Sequence, residues 1–152
     1  ICGYQIPEIH EAKSKTIKAY CLKNFISWGW ATWSKKWNNY RNKSKKQKLT
    51  SKTLKSKIIR KIKKQSISKK NIWTFDYIKY SYTENKHFIF PNKSLIKNIG
   101  FDGSGINSKA TFLFNTKYFP SNRIIIDKSL RPDEKRNIIQ QNILLKRLNL
   151  FY

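Results

Sequence analysis

The sequence has no methionine and no valine, and among 152 residues it has only 5 glycines, 4 prolines, 2 cysteines and 8 acids against 33 bases. Each shortage narrows the reading. Without methionine, and opening on Ile1-Cys2-Gly3-Tyr4, the chain is expected to be the C-terminal portion of a longer protein. Cys2 and Cys21 stand in apolar stretches without C-x-x-C spacing. That speaks for reduced core thiols in a cytosolic setting and leaves a disulfide between them open. No apolar run approaches the roughly 20 residues that span a bilayer. With 39% hydrophobic and 14% aromatic residues the chain has enough apolar side chain for one core, which excludes a disordered tail.

A net charge of +25 has the look of a nucleic-acid binder. The rest of the composition weakens that reading. Lys, Asn, Ile, Tyr and Phe are abundant while Ala, Gly, Pro and Arg are scarce, which is the set written by A- and T-rich codons. Only six of the bases are Arg, the residue best suited to phosphate and base recognition. Specific nucleic-acid recognition is therefore not expected. The charge still attracts nucleotides, anionic lipid heads and acidic polymers, in a salt-dependent way.

Four of the five tryptophans fall within residues 27–37, S-W-G-W-A-T-W-S-K-K-W. From Trp30 onward the aromatics recur at 30, 33, 37 and 40, the spacing of one helical face, with Thr32 as a candidate cap. Residues 27–29 form a kink between an apolar strand over 20–26 and that helix. Tryptophan in such a turn packs, burying roughly 150–250 Å² per ring, or serves as a platform for a flat ligand such as a sugar ring.

Residues 1–6 read as a strand stopped by Pro7, and 8–18 as a polar loop in which His10 is solvent-exposed by default. Residues 43–70 carry thirteen bases and no acid. There Leu54, Ile58 and Ile62 recur at i, i+4 and i+8 with Ile59 beside them, and Thr50 or Ser51 stands ready as a cap. This predicts a basic amphipathic helix, packed on the body by one stripe or lying on an anionic membrane surface. Nucleic-acid binding comes third, because the run lacks stacking aromatics.

Residues 71–85 predict a buried helix, with Trp73, Tyr77 and Tyr80 on one face and Phe75, Ile78 and Tyr82 on another. Asp76 lies in its middle. It is either a desolvated carboxylate of raised pKa, suited to general-base work, or a hydrogen-bonded helix acid. Asn85-Lys86 reads as a turn, 87–90 as a strand ended by Pro91, and 94–99 as a strand ended by Gly100. The loop G-F-D-G-S-G over 100–105, with Asn107 and Ser108 behind it, lacks the Gly-Lys-Ser/Thr of a P-loop but can fold over a ligand. Residues 112–119 and 123–126 read as extended packing segments. The last helix is expected to start at Pro132, with Asp133 and Glu134 in its first turn and Lys146 and Arg147 near its end. Ile138, Ile139, Ile143, Leu144 and Leu148 form its expected core face.

Taken in order, this succession resembles the C-terminal half of a bacterial family 2 (GT-A fold) glycosyltransferase. It is the branch that assembles capsule, lipopolysaccharide or other surface glycans. The tryptophan turn over 27–33 resembles that branch's turn, and Pro91, Ser94-Leu95 and Asn98-Ile99-Gly100-Phe101 resemble its strand-to-loop signature. The resemblance implies an α/β fold: the C-terminal, acceptor-side part of a Rossmann-like GT-A domain over 1–108, with a basic helical insert at 43–70. Residues 109–152 are then a C-terminal extension ending in a helix.

It further implies an acceptor groove lined by Ser27, Trp28, Gly29 and Trp30, and places Asp76 near the catalytic carboxylate, where the family often has a Glu-Asp pair. Asp102, Gly103, Gly105 and Asn107 fall on the donor-diphosphate loop, Asn107 where the family often has a histidine reaching the metal. The nucleotide pocket, and the Asp-x-Asp that holds Mn²⁺ or Mg²⁺, belong to an N-terminal half outside this chain, so the isolated piece is expected to be inactive. The implied partners are a nucleotide sugar and a glycan or lipid-linked acceptor, in the cytoplasm or peripherally at the anionic inner face of the membrane. The competing class is a lysine-rich module that binds nucleic acid or an anionic membrane surface through 43–70.

Overall fold

The computed structural model describes residues 1–9, 17–44, 48–68, 73–104, 110–112, 114–119, 125–127 and 129–147. They form a small α/β structure of helices and a two-stranded antiparallel sheet, divided into two compact units. One unit comprises Ile1–Trp30 and Phe88–Tyr152, the other Ala31–His87.

In the first unit β1 (Ala19–Leu22) pairs with β2 (Phe88–Pro91), in the register Ala19↔Pro91, Tyr20↔Phe90, Cys21↔Ile89 and Leu22↔Phe88. Proline closes β2 because it brings no N–H to a further ladder bond. Asn92 carries the pairing one step on: its N–H donates to the Lys18 carbonyl, and its side-chain oxygen accepts from the Lys18 N–H, each at 2.9 Å. The free edges are covered. Ile125 donates to the Ile17 carbonyl and Asp133 to that of Cys21, while Cys2 donates to Ile89 beside β2. Single bonds of this kind shield an edge without adding a strand.

The expected strand over 94–99 is not formed, nor does 1–6 make a ladder, so the sheet joins β1 to 88–91 rather than to 94–99. Both segments are extended and bonded one residue at a time. Gly3 donates to Gly29 at 2.8 Å, Leu95 to Gly3 at 2.9 Å and Phe119 to Ser94 at 3.0 Å. Side chains complete the bonding, since the Gln5 N–H donates to Ser94 Oγ and Gln5 Nε2 to the Pro91 carbonyl. A backbone group that meets a side-chain partner has no need of a ladder.

Cys2, Tyr4, Ile6, Leu22 and Phe90 are fully buried and build this unit's core, each large apolar side chain stabilising it by about 1.5–3 kcal/mol. The C-terminal helix of this unit spans Glu134–Arg147. It starts two residues after Pro132, because Asp133 is the cap. The Asp133 carbonyl accepts from Asn137, and its carboxylate from the Arg136 N–H at 2.9 Å. Its expected apolar face is corrected in part. Ile138 is 59% exposed, whereas Asn137 and Gln140 are buried and hold the chain beyond β1. Asn137 Oδ1 accepts from the Lys23 N–H, and Gln140 Oε1 from the N–H and Nδ2 of Asn24. Leu148 lies outside the described residues.

The second unit is helical. Its first helix, Ser34–Ser44, begins where the Trp33 carbonyl accepts from Trp37, so Trp33 rather than Thr32 holds the cap position and Trp30 precedes the helix. The basic run breaks into Ser51–Leu54 and Lys57–Ser68, where one continuous helix was expected. Each piece has its own cap. Thr50 Oγ1 accepts from Thr53, and Ser56 Oγ from Ile59. Ile58, Ile59 and Ile62 are at most 2% exposed, so the apolar stripe is spent on packing inside its unit. A helix lying on a membrane needs that stripe free.

Helix Trp73–Thr83 packs against Ser34–Ser44 and Lys57–Ser68 through Phe75, Tyr77 and Tyr80. It ends in a left-handed Asn85, with φ 48°. Lys86 donates to Ser81 and Asn85 to Tyr82, the pair of bonds that satisfies a helix's last carbonyls.

Gly29 is the tightest point of the first unit. Its φ is 54°, and a Cβ there would stand 2.6 Å from Ile96 Cδ1. Gly29→Ala is expected to lower stability by about 1–3 kcal/mol, from backbone strain and the forced shift of Ile96. Urea unfolding measures this, and an unchanged midpoint would contradict the packing described.

Candidate functional site

The two segments that carry the family resemblance meet in the first unit. The 27–30 turn closes on the 94–101 segment through Gly29 against Ile96. The indole of Trp28 stands edge-on to Tyr4 at 4.8 Å, Phe101 at 5.1 Å and Phe114 at 5.3 Å. Phe101 and Phe114 stack at 5.1 Å, and the Tyr4 hydroxyl donates to the Phe114 carbonyl. Trp28 is thus the centre of an aromatic cluster and remains half-buried. Trp30 is also half-buried, pairs with Cys2 in an isolated bridge and meets Phe25 edge-on at 5.4 Å. Ser27 is half-buried and Gly29 exposed. The structure therefore brings Trp28 against Phe101 at the base of the 100–104 loop and Gly29 against Ile96.

That loop is closed by its own side chains. Asn98 Oδ1 accepts from the Gly100 N–H, and Asp102 Oδ1 from the N–H and the hydroxyl of Ser104. The Ser104 hydroxyl and then its N–H hold the Asp102 carboxyl below the usual carboxylate range. Gly103, with φ 99°, allows the reversal, and Thr111 donates to Phe101 across the loop base. Gly105 and Asn107 lie outside the described residues, as does His10.

Asp76 belongs to the second unit. The surroundings expected for it are corrected. Its side chain is 49% exposed and ion-paired with Lys79, one helical turn on, so it is not desolvated among Trp73, Tyr77 and Tyr80. The reason is helical phase: Phe75, Tyr77 and Tyr80 point into the unit while residue 76 faces out. Its charge is felt nearby. Burial first, and then the Asp76 carboxylate, push the Tyr40 phenol up.

Cys2 and Cys21 are both free thiols. Burial raises the Cys2 thiol to about 11 and also raises Cys21, which keeps both protonated and unreactive at neutral pH. Among the described residues no three His, Cys, Asp or Glu side chains gather as a metal site. No described helix is long and apolar enough to cross a membrane.

Sequence reasoning did not single out Lys93, Lys97 or Lys117, nor the contact of Arg136 with Tyr20. The Arg136 guanidinium lies 3.9 Å from the centre of the Tyr20 ring and ion-pairs with Asp133. No pattern marks one lysine among so many. Comparison of the chain with protein-family models, with curated proteins and with solved structures finds no match.

Three carboxylates titrate below the ordinary value of about 3.9: Asp102, Asp127 and Asp133. At Asp133 burial works upward but is outweighed by the Arg136 N–H and guanidinium. A lowered folded pKa stabilises the native state above the unfolded value, and that contribution is lost as pH falls through the folded value. The melting temperature is therefore expected to stay level above about pH 5 and to fall below about pH 4, with a shallower fall in Asp133→Asn. An identical acid limb in that variant would show the cap to be without effect.

Proposed function

We propose that this chain is the acceptor-side part of a glycosyltransferase. It would move a sugar from a nucleotide-sugar donor to a glycan or lipid-linked acceptor in surface-glycan synthesis. The observation that carries the reading is the meeting of the two motif segments: the tryptophan turn and the 94–101 segment pack together through Gly29, Ile96, Trp28 and Phe101. In the family these two segments share one site. By the resemblance, Ser27, Trp28, Gly29 and Trp30 would line the acceptor groove and the loop that carries Asp102 and Gly103 would lie on the side of the donor diphosphate. By the resemblance alone, the general base is assigned to Asp76, a half-exposed residue of the second unit: it would take the proton of the acceptor hydroxyl as that oxygen attacks the anomeric carbon and the nucleoside diphosphate leaves with the bonding pair. Lys79 beside it steadies the carboxylate position. The Mn²⁺ or Mg²⁺ that this reading implies would need an Asp-x-Asp, which these 152 residues do not contain, and would neutralise the leaving diphosphate.

The test is nucleotide-sugar turnover by the protein with its N-terminal half present. Asp76→Asn is expected to lower kcat by roughly 10²–10⁴-fold with little change in stability. Near-normal turnover would move the base elsewhere, with Asp102 next in line. Turnover by the 152 residues alone would show that the donor half is not missing, and the reading of the chain as an acceptor-side part would fall.

A second reading is favoured by one observation. Trp33 is 61% and Trp73 41% exposed, in the same unit as the basic run. Bare indoles beside lysines suit single-stranded polyanions. Such binding is expected to be sequence-blind and to weaken steeply with salt. Fluorescence anisotropy with a labelled oligonucleotide from 50 to 300 mM salt, roughly the range over which counterion release acts, checks it. No complex at the low-salt end of that range would rule this second reading out.

A further inference from the structure

The segments 93–97 and 115–119 are tied side by side by the Phe119 to Ser94 backbone bond. Between them lies an open groove of about 550 Å³, lined by Lys97, Asn115, Thr116, Lys117 and Tyr118. The volume is within the usual range for small-molecule sites, about 300–1,000 Å³. Two features set this groove apart from an ordinary lysine-bearing surface. Lys93 is only 7% exposed, yet its ammonium reaches the Phe119 ring, 4.3 Å from the centre, and Lys117 lies over the same ring at 5.5 Å. Thr116 is equally buried, and its hydroxyl has no hydrogen-bond partner.

Charge around the groove is one-sided. Among the described residues no carboxylate pairs with Lys93, Lys97 or Lys117. Asp102 is engaged with Ser104, Asp127 with Ser129 and Asp133 with Arg136. Two ammonium groups, an amide-bearing Asn115 and Thr116 with its unpartnered hydroxyl thus line one concavity, the Lys93 ammonium stands on the ring of the adjoining Phe119, and among the described residues no carboxylate pairs with these lysines. Lysine binds phosphate as a point charge, and several such donors together suit a multiply charged oxyanion better than a single carboxylate. The half-exposed Tyr118 ring offers a flat wall to the organic part of an ester.

We propose that this groove binds a phosphoryl group, that of a soluble phosphate ester or of a phospholipid head. Lys97 and Lys117 contact it directly, Lys93 supplies charge from behind the Phe119 ring, and Thr116 gains its missing partner as an oxygen enters. The inference stands on this geometry and not on the glycosyl-transfer reading, so either can fail alone.

The test uses the full chain at fixed pH and 150 mM salt, near physiological ionic strength. Inorganic pyrophosphate is titrated while amide NMR shifts are followed, and in parallel the protein is sedimented with phosphatidylcholine vesicles with and without phosphatidic acid. Saturable shifts confined to Lys97 and residues 115–118 are expected. The double variant Lys97→Ala/Lys117→Ala should weaken binding about tenfold or more, the loss that follows removal of two charge-assisted contacts. Lys35→Ala/Lys36→Ala removes the same charge from exposed positions on the Ser34–Ser44 helix that do not line the groove, and should leave affinity within about twofold, since exposed charges that make no contact are screened. Saturation by pyrophosphate identifies a soluble ester as the source, whereas sedimentation only with phosphatidic acid, lost in the first variant, identifies a lipid head. Equal weakening in both double variants, shifts spread over all lysine-bearing surfaces, or no binding in either arm would overturn the proposal.

Discussion

The first unit depends on one buried segment, the extended stretch from Cys2 to Ile6. All five of its residues are buried, and their backbone and side-chain groups are claimed by four separate parts of the chain. Cys2 donates to β2, Gly3 donates to the tryptophan turn and accepts from Leu95, Gln5 bonds Ser94 and Pro91, and Tyr4 bonds Phe114. A buried backbone polar group left unpaired costs about 1–3 kcal/mol. Withdrawing this segment would therefore strand partners in every neighbouring element at once. Gly3 is glycine because a Cβ would stand 2.8 Å from the Gly29 carbonyl oxygen. The turn and the segment can approach only while both residues lack side chains.

A second consequence is the polarity of this core. Gln5, Asn92, Ser94 and Gln140 are fully buried, where apolar residues would be the default. Each replaces a ladder bond that the short sheet does not provide. The Gln5 side chain bonds the Pro91 carbonyl and the Ile6 N–H, Asn92 binds Lys18, and Gln140 takes both donors of Asn24. Such groups add little net stability when satisfied and cost much when not. They act as specificity devices, since an alternative register would bury them without partners. Gln140 Nε2 is left without a bond in this arrangement, and we have no physical account of it.

How much of this was legible beforehand follows the same division. Periodicity marked the helices at 34–44, 57–68, 73–83 and 134–147, because burial repeats on one face. Turn chemistry placed Asn85 and the end of β2 at Pro91. The 94–99 segment misled, since Leu95, Ile96 and Ile99 ahead of Gly100 read as a strand while the Ser94 and Gln5 side chains had taken over the bonding. Residues 137 and 140 misled in the opposite sense, because an amide on a helix face reads as solvent-facing until its partner 116 residues away is known. At the candidate site no sequence pattern announced the approach of 27–30 to the 94–101 segment, because it rests on Gly29 meeting Ile96 and Trp28 meeting Phe101 across 67 to 73 residues of chain. The outward phase of Asp76 was not, because apolar residues lie on every side of it in sequence and only the packing partners decide which face is inside.

Charge shows most clearly why environment outranks identity here. Between Ala31 and His87 the only acids are Asp76 and Glu84, and each meets a lysine, Lys79 and Lys43. Exposed pairs of this kind contribute about 0.2–1 kcal/mol, too little to offset mutual repulsion among the remaining bases. The helices hold because the aromatic cluster of Trp37, Tyr40, Trp73, Tyr77 and Tyr80 lies beneath them, its rings 4.9–6.4 Å apart. Such pairs add about 0.5–1.5 kcal/mol each beyond burial. Lysines on the outer faces are then tolerated, since water screens them, and a codon bias toward lysine can fill those positions without consequence. Lys93 cannot be explained that way. A buried ammonium opposes folding unless something nearby favours its charge, and an aromatic face is a modest substitute for an anion. Lys93 shares the Phe119 ring with Lys117, and among the described residues no carboxylate pairs with either.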